Sequence, residues 1–247
     1  MHSFLYPVYL TELDTIDSTQ DYLKKSQLHN SPYEWTVAWA LKQTKGRGTY
    51  GNHWQGEKAK NLTFSFSFRT HLSARKNFLL NICISNGLHK RLSLEGEGFS
   101  IKWPNDLLLN GRKIAGILIE NQISKGYIQH SVIGTGLNVH QEKFETLSKA
   151  SSLKNILNKT FILKELLISL LKNLQKEYRK LIQGEEQSLK NYYLLHLFGK
   201  NQKNYFKIDH SIYEGEIQGI DKDGRLVVSL AKGTQEYFFP KEIDMIY

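Results

Sequence analysis

A single cysteine, Cys83, rules out an internal disulfide, so nothing in this chain is stapled covalently. It sits inside the apolar run Phe78–Ile84, where the expected role is that of a small buried hydrophobe rather than a nucleophile. No apolar stretch approaches the roughly 20 residues needed to cross a bilayer. The opening Met1-His2-Ser3-Phe4-Leu5-Tyr6-Pro7 lacks the basic segment and apolar core of a secretory signal. No internal repeat or low-complexity segment is found. These absences exclude a disulfide scaffold, a helical membrane protein and a repeat array, and they point to a soluble, cytoplasmic protein.

Acidic residues are in deficit, 24 against 33 basic ones, for a formal charge of +9. That excess suits an anionic ligand, whether nucleotide, nucleic acid or acidic protein, and does not choose among them. The lysines are scattered rather than gathered into a basic arm, which is also the pattern of a plain solvated surface. A hydrophobic content of 40% with 12% aromatics is enough for a packed core. The 247 residues suffice for one large domain, or for a medium one with a small companion.

Periodicity indicates mixed structure. Asp17-Ser18-Thr19-Gln20-Asp21 opens a helix through Lys25, with Ser18 and Asp21 at capping-box spacing. Trp35–Leu41 is of strand length. Asn61–Phe68 alternates strictly, predicting a half-buried strand with Leu62, Phe64, Phe66 and Phe68 toward the core. Ala74–Leu92 reads as a helix with Phe78, Leu79, Ile82 and Leu88 on one face. Leu107–Leu109 and Lys113–Glu120 flank Asn110-Gly111, a hairpin signal. Ser124-Lys125-Gly126 is a second turn, followed by a strand over Tyr127–Asn138. Thr160–Gln183 carries leucines at 163, 166, 167, 170, 171 and 174, an amphipathic helix, and Gln187–Leu197 a shorter one. Composition changes near Gly199. Short strands follow at Tyr205–Ile208, Ile212–Ile220, Leu226–Leu230 and Glu236–Phe239, with hairpin-like turns at Asp223-Gly224 and Lys232-Gly233. They predict a small barrel that needs to dock on a larger domain.

Several segments carry chemistry. Gln43-Thr44-Lys45-Gly46-Arg47-Gly48-Thr49-Tyr50-Gly51-Asn52-His53-Trp54 combines three glycines, two cations and an indole, a loop able to wrap a ring-bearing phosphate ligand. A mobile solvated loop has the same composition. Lys102-Trp103-Pro104-Asn105-Asp106 places a lysine, an amide and a carboxylate around a proline turn, suited to phosphate, metal or base, and equally to solvent. Lys113-Ile114-Ala115-Gly116 sets an ammonium beside a strand position with no side chain, although an edge-strand lysine also guards against aggregation. Gly134-Thr135-Gly136-Leu137-Asn138 supplies a further glycine pair.

In this order, Asp17-Ser18-Thr19, the loop ending at Trp54, Lys102–Asp106, Lys113–Gly116 and Gly134–Asn138 resemble the successive motifs of biotin protein ligases, over residues 10–140. The resemblance implies an α+β fold, a mixed-sheet catalytic domain backed by helices (1–198) with a small SH3-like barrel (199–247). It implies ATP and Mg²⁺ as cofactors, biotin as substrate, and a biotin carboxyl carrier domain as partner. Biotin and ATP would give biotinyl-5′-adenylate, and a carrier lysine would then take the biotin as an amide. Arg47 and Lys113 are implied as catalytic residues. Ser18, Thr19, Gln20, Gln43, Gly48, Thr49 and Gly116, with those two, are implied for biotin. Gly46, Arg47, Gly48, Trp54, Lys102, Asn105 and Asn138 are implied for the adenylate, with Asp106 and Asn138 as metal candidates.

The chain departs from the family pattern at Thr49 and Asn52, where many members carry arginines in a run like Gly-Arg-Gly-Arg-x-Gly-Arg. Some members begin with a helix-turn-helix domain. The stretch before Asp17 is too short for one, so the expectation is a ligase-only form, with no specific DNA partner and no membrane, acting as a monomer or homodimer. Two alternatives stay open. A lipoate or octanoate ligase shares the fold but carries an Arg-Arg-x-Ser-Gly-Gly-Gly loop, absent here. A non-catalytic RNA-binding module would use Phe64, Phe66 and Phe68 as a stacking platform.

Overall fold

The structure, a computed structural model, describes residues 3–26, 34–144, 148–230 and 233–247. The chain opens with β1 (Val8–Ile16), a strand that the sequence reading did not anticipate because threonine and acidic residues interrupt its alternation. α1 (Thr19–Lys25) follows. The Ser18 hydroxyl accepts from the Asp21 backbone N–H at 3.3 Å, satisfying a helix donor, and Lys24 and Lys25 complement the other end of the helix. β2 (Trp35–Gln43) returns parallel to β1. β3 (Leu62–Ser73) pairs antiparallel with β2.

After one 3-10 turn at Ala74–Lys76 comes α2 (Asn77–Leu92). The meander then runs β4 (Phe99–Lys102), β5 (Asp106–Leu109), β6 (Arg112–Ser124) and β7 (Tyr127–Leu137). Asn110 (φ 49) and Gly111 (φ 73) make the β5–β6 turn, and Lys125 (φ 50) with Gly126 (φ 79) the β6–β7 turn, as their sequences predict. The seven strands order as β1-β2-β3-β7-β6-β5-β4, a mixed sheet with one parallel pair. α3 (Leu153–Leu157), α4 (Leu163–Ile182) and α5 (Glu186–Leu195) complete this layer.

Phe64, Phe66 and Phe68 turn toward the helices. Trp35 stacks on Phe66 and Phe68 at centroid distances of 4.8 and 5.0 Å, and Tyr178 of α4 closes on Phe68 at 4.5 Å. All three phenylalanines are buried, so they offer no platform for a base. Two expectations need correction. β3 is not half-buried, because Thr63, Ser65 and Ser67 on its other face are buried as well, with α1 covering that face. α2 does not bury a single stripe either. It is held between the sheet and the helices α4 and α5, so Leu80, Cys83, Ile84 and Gly87 are buried together with Leu79, Ile82 and Leu88 of the predicted face, while Phe78 is only partly buried. Burial pushes the Cys83 thiol well above its ordinary pKa, with Glu177 adding to the effect, and this suits a packing role.

The tail forms β8 (Lys203–Ile208), β9 (Ser211–Ile220), β10 (Leu226–Leu230), β11 (Gln235–Phe238) and β12 (Ile243–Ile246). Their order is β11-β10-β9-β8-β12, antiparallel throughout. The small β domain expected is thus present, but among the described residues it is an open five-stranded sheet and not a closed barrel. The terminal strands β11 and β12 are four residues each, and Pro240 between them brings no N–H for a closing ladder. Asp223-Gly224 turns as predicted, while Lys232 of the other predicted turn lies outside the described residues. The Trp103 indole N–H donates to the Gly224 carbonyl at 2.9 Å, tying the β4–β5 connection to the β9–β10 turn. No helix among the described residues is long and apolar enough to cross a membrane.

Candidate active site

The strand ends and the N-terminus of α1 converge under the glycine loop, and the cavity there has about 50 Å³ of free volume. Ser18, Thr19 and Gln20 enter from α1, Gln43 from the end of β2, and Arg47, Gly48, Thr49 and Trp54 from the loop. Asn105 and Asp106 come from the start of β5, and Lys113 and Gly116 from β6. Thus most of the residues singled out in the sequence share one cavity.

The α1 side is a hydrogen-bonded cluster. The Gln43 side-chain carbonyl accepts from the Thr19 N–H at 2.7 Å and from its hydroxyl at 2.9 Å, and that hydroxyl lies 2.8 Å from Ser65 Oγ. Gln20 donates to the Val132 carbonyl at 2.9 Å and to Glu120 at 3.0 Å. Three buried polar atoms lining the cavity have no protein partner: Gln20 Oε1, Thr135 Oγ1 and Trp54 Nε1. Buried polar atoms are seldom left so, and these mark a place where a polar ligand or water is accommodated. A Cβ on Gly134 would stand 2.8 Å from Gln20 Oε1, which explains glycine there.

The loop folds back on itself. Trp54 N–H donates to the Gly46 carbonyl at 3.0 Å, and Gly48 N–H to the Asn52 carbonyl at 2.8 Å. Gly46 itself does not line the cavity; a Cβ there would overlap the Trp54 carbonyl, so its role is to let the two arms close. The Trp54 indole lies against the paired strand positions Gly116 and Gly136, occupying a trough that side chains there would fill.

Charge is distributed in pairs. Lys113 Nζ stands 2.7 Å from Asp106 Oδ1. Arg47 bridges Asp21 at 2.7 Å and Glu120 at 3.2 Å. Burial works against the Arg47 charge, but Glu120 and Asp21 more than offset it and its pKa rises. Partial burial likewise disfavours the Glu120 carboxylate, yet bonds from Lys24 and Gln20 and the field of Arg47 hold its pKa low. Asn105 donates to the Ile117 carbonyl at 2.6 Å, pinning the β5 start to β6.

Besides Gly46, two further predicted contacts are not brought to this cavity. Lys102 lines a separate cleft against the C-terminal sheet, with its ammonium 5.2 Å from the centre of the Tyr247 ring and its pKa lowered by burial. Asn138 is buried outside the lining and donates to the Ser151 carbonyl at 3.0 Å, bracing the segment before α3. Conversely, Ser65, Thr135 and Glu120 belong to the site and were given no role from sequence. Ser65 was legible as the small hydroxyl opposite the phenylalanine face; Glu120, distant in sequence from the loop it anchors, carried no signal.

The sequence model of the Biotin/lipoate A/B protein ligase family matches residues 12–138, which include every residue of this cavity. The chain belongs to that family. A second match, to the biotin protein ligase C terminal domain, covers residues 206–238 of the tail. The chain is 25% identical to the bifunctional ligase/repressor BirA of Bacillus subtilis over 239 residues, covering 91% of this chain and 70% of that protein. It is 36% identical to the biotin–[acetyl-CoA-carboxylase] ligase of Paracoccus denitrificans over 107 residues, 41% of this chain and 44% of the relative. Among solved structures, the biotin protein ligase of Aquifex aeolicus in complex with biotin and ATP superposes with a TM-score of 0.78. That comparison has 24% identity and covers 96% of this chain and 98% of the other. As a biotin/lipoate ligase family member, the chain shows how the five separated motifs meet: β2, β5, β6 and β7 deliver four of them to one end of the sheet, and α1 supplies the fifth.

Proposed function

We propose that this chain is a biotin protein ligase, joining biotin to ATP and then to a lysine of a biotin carboxyl carrier domain. One observation carries the reading: unpartnered polar atoms and paired cations share a small cavity under a glycine loop. The tail's match to the biotin protein ligase C terminal domain, and the absence of an Arg-Arg-x-Ser-Gly-Gly-Gly loop, favour biotin over lipoate or octanoate.

In the first step a biotin carboxylate oxygen bonds to the α-phosphorus of ATP and pyrophosphate leaves. In the second, a carrier lysine amine attacks the acyl carbon, AMP departs with the bonding pair, and the amine loses a proton. Neither step requires a covalent bond to the enzyme. The chain's contribution is orientation and charge. The cluster of Ser18, Thr19, Gln20 and Gln43 presents the donors and acceptors suited to a ureido ring, with Gln20 Oε1 as a free acceptor. Lys113 and Arg47 face the carboxylate and phosphoryl oxygens, and the backbone of Gly48, Thr49 and Gly116 permits close approach. Gly46, Trp54 and Asn105 shape the adenylate side. Asp106 is the sole carboxylate lining the cavity among the described residues, which suits Mg²⁺ held largely by nucleotide phosphates and water. Bound there, Mg²⁺ would neutralise phosphate charge. The closed loop keeps water from the mixed anhydride.

ATP–pyrophosphate exchange tests the reading, with biotin, lipoate and octanoate supplied separately. Exchange dependent on biotin, followed by labelling of a biotin carboxyl carrier domain, is the expected result. Exchange with lipoate or octanoate alone would overturn the substrate, and none with any acid would overturn the activity.

A further inference from the structure

The tip of the glycine loop is Thr49-Tyr50-Gly51, and Tyr50 is held in left-handed backbone (φ 58, ψ 33) although it is not glycine. Its neighbours Gly48, Thr49 and Trp54 line the active-site cavity, but Tyr50 does not. Tyr50 instead lines the two clefts, of about 460 and 450 Å³, between the large sheet and the C-terminal one, and Pro104 and Pro240 line both with it. There the Lys241 ammonium lies 4.7 Å from the centre of the Tyr50 ring.

Lys241 sits between β11 and β12 in a turn closed at both ends. Phe239 N–H donates to the Glu242 carboxylate at 2.6 Å, and Glu242 N–H donates to the Phe239 carbonyl at 3.1 Å. Lys241 is itself left-handed (φ 77). Such backbone persists where its surroundings hold it. No acid pairs with Lys241 among the described residues. The loop's own cations are engaged elsewhere, Lys45 with Asp17 at 3.0 Å and Arg47 with Asp21 and Glu120. The tip, with Thr49 and Asn52, brings no cation of its own.

We infer that Lys241, carried on the C-terminal sheet, is a positioning residue for the glycine loop, which it holds over the active-site cavity through the ring of Tyr50. The inference adds to the proposed ligase function a physical link between the tail and the loop, and its effect on adenylate retention rests on that function. An ammonium over an aromatic face is attracted by the ring's quadrupole. Losing it frees the tip while leaving the hairpin bonds at the loop's base. Arginine at 241 keeps the attraction and alanine does not; phenylalanine at 50 keeps the ring and leucine does not.

The test is hydrogen exchange of residues 44–52 in the full, ligand-free chain, comparing Lys241→Ala, Lys241→Arg, Tyr50→Phe, Tyr50→Leu and the Lys241→Ala/Tyr50→Leu double variant. Exchange should quicken about two- to fivefold in Lys241→Ala and in Tyr50→Leu, the span expected of a partly exposed cation–aromatic contact. The double variant should be no faster than either single one, and Lys241→Arg and Tyr50→Phe should retain the parent protection. Unchanged exchange in both Lys241→Ala and Tyr50→Leu, or effects that multiply in the double variant, would overturn the inference. This readout needs no ligase activity, so its failure is distinct from a failure of the exchange assay with biotin. With activity present, release of adenylate in the absence of carrier should rise in Lys241→Ala and be restored by Lys241→Arg.

Discussion

The indole of Trp54 occupies the space that a side chain on Gly136 would need: a Cβ there would overlap Trp54 Cε2. Loop and sheet are therefore complementary along the Gly116–Gly136 pair, most tightly at Gly136, and the free volume beside them is about 50 Å³. Gly136→Ala should accordingly destabilise the protein by about 1–3 kcal/mol through overpacking, and the same change should cost much less in a Trp54→Ala background. Urea melts of the four proteins measure that coupling.

Lys113 and Arg47 are half-exposed ion-pair members, and exposed pairs stabilise folds by no more than about 1 kcal/mol. Their alanine variants should melt close to the parent. Loss of a charge aimed at a phosphoryl group should nonetheless reduce biotin-dependent ATP–pyrophosphate exchange about 100-fold or more. Equal losses of stability and rate would show that the two residues act structurally.

Residues 44–52 should become protected on ligand binding. Ordering the loop over an adenylate costs about 1–2 kcal/mol for each backbone residue fixed, which ligand contacts must exceed. Hydrogen exchange with and without biotin plus ATP should show slower exchange in this segment and little change in α4. Equal exchange in both states would contradict closure.

His89 provides a pH dependence away from the site. It is buried in α2 and contacts Tyr192 Oη at 2.9 Å and the Phe99 carbonyl at 3.2 Å, with His196 stacked on it at 4.4 Å. Burial lowers its pKa to about 4. Between that value and the ordinary 6.5 the unfolded chain binds a proton that the folded chain does not. Stability therefore rises with pH across this window and falls by up to about 3 kcal/mol as pH drops through it. His89→Gln should flatten the acid limb of a stability–pH curve, and an unchanged slope would count against the assignment.

The legibility of the fold varied with physical cause. The Asn110-Gly111 and Lys125-Gly126 turns were plain in sequence because left-handed backbone narrows the choice of residue. The leucines of α4 were plain because one helical stripe is buried. α2 misled because it is enclosed on several sides, so its buried residues follow no single stripe. β1, β4, α3 and β12 went unseen: β1 is interrupted by polar residues, and the others are only four or five residues long.

The sequence by itself determined the family, the glycine positions and the residue types of the site, because close backbone approach and charge demand particular side chains in a particular order. Only the tertiary structure decided which of them meet. It took Lys102 and Asn138 out of the cavity, brought Ser65, Glu120 and Thr135 into or against it, and set Lys241 over Tyr50. The reason is that pairing register and sheet order bring together residues far apart in the chain, and neither is encoded in any one segment.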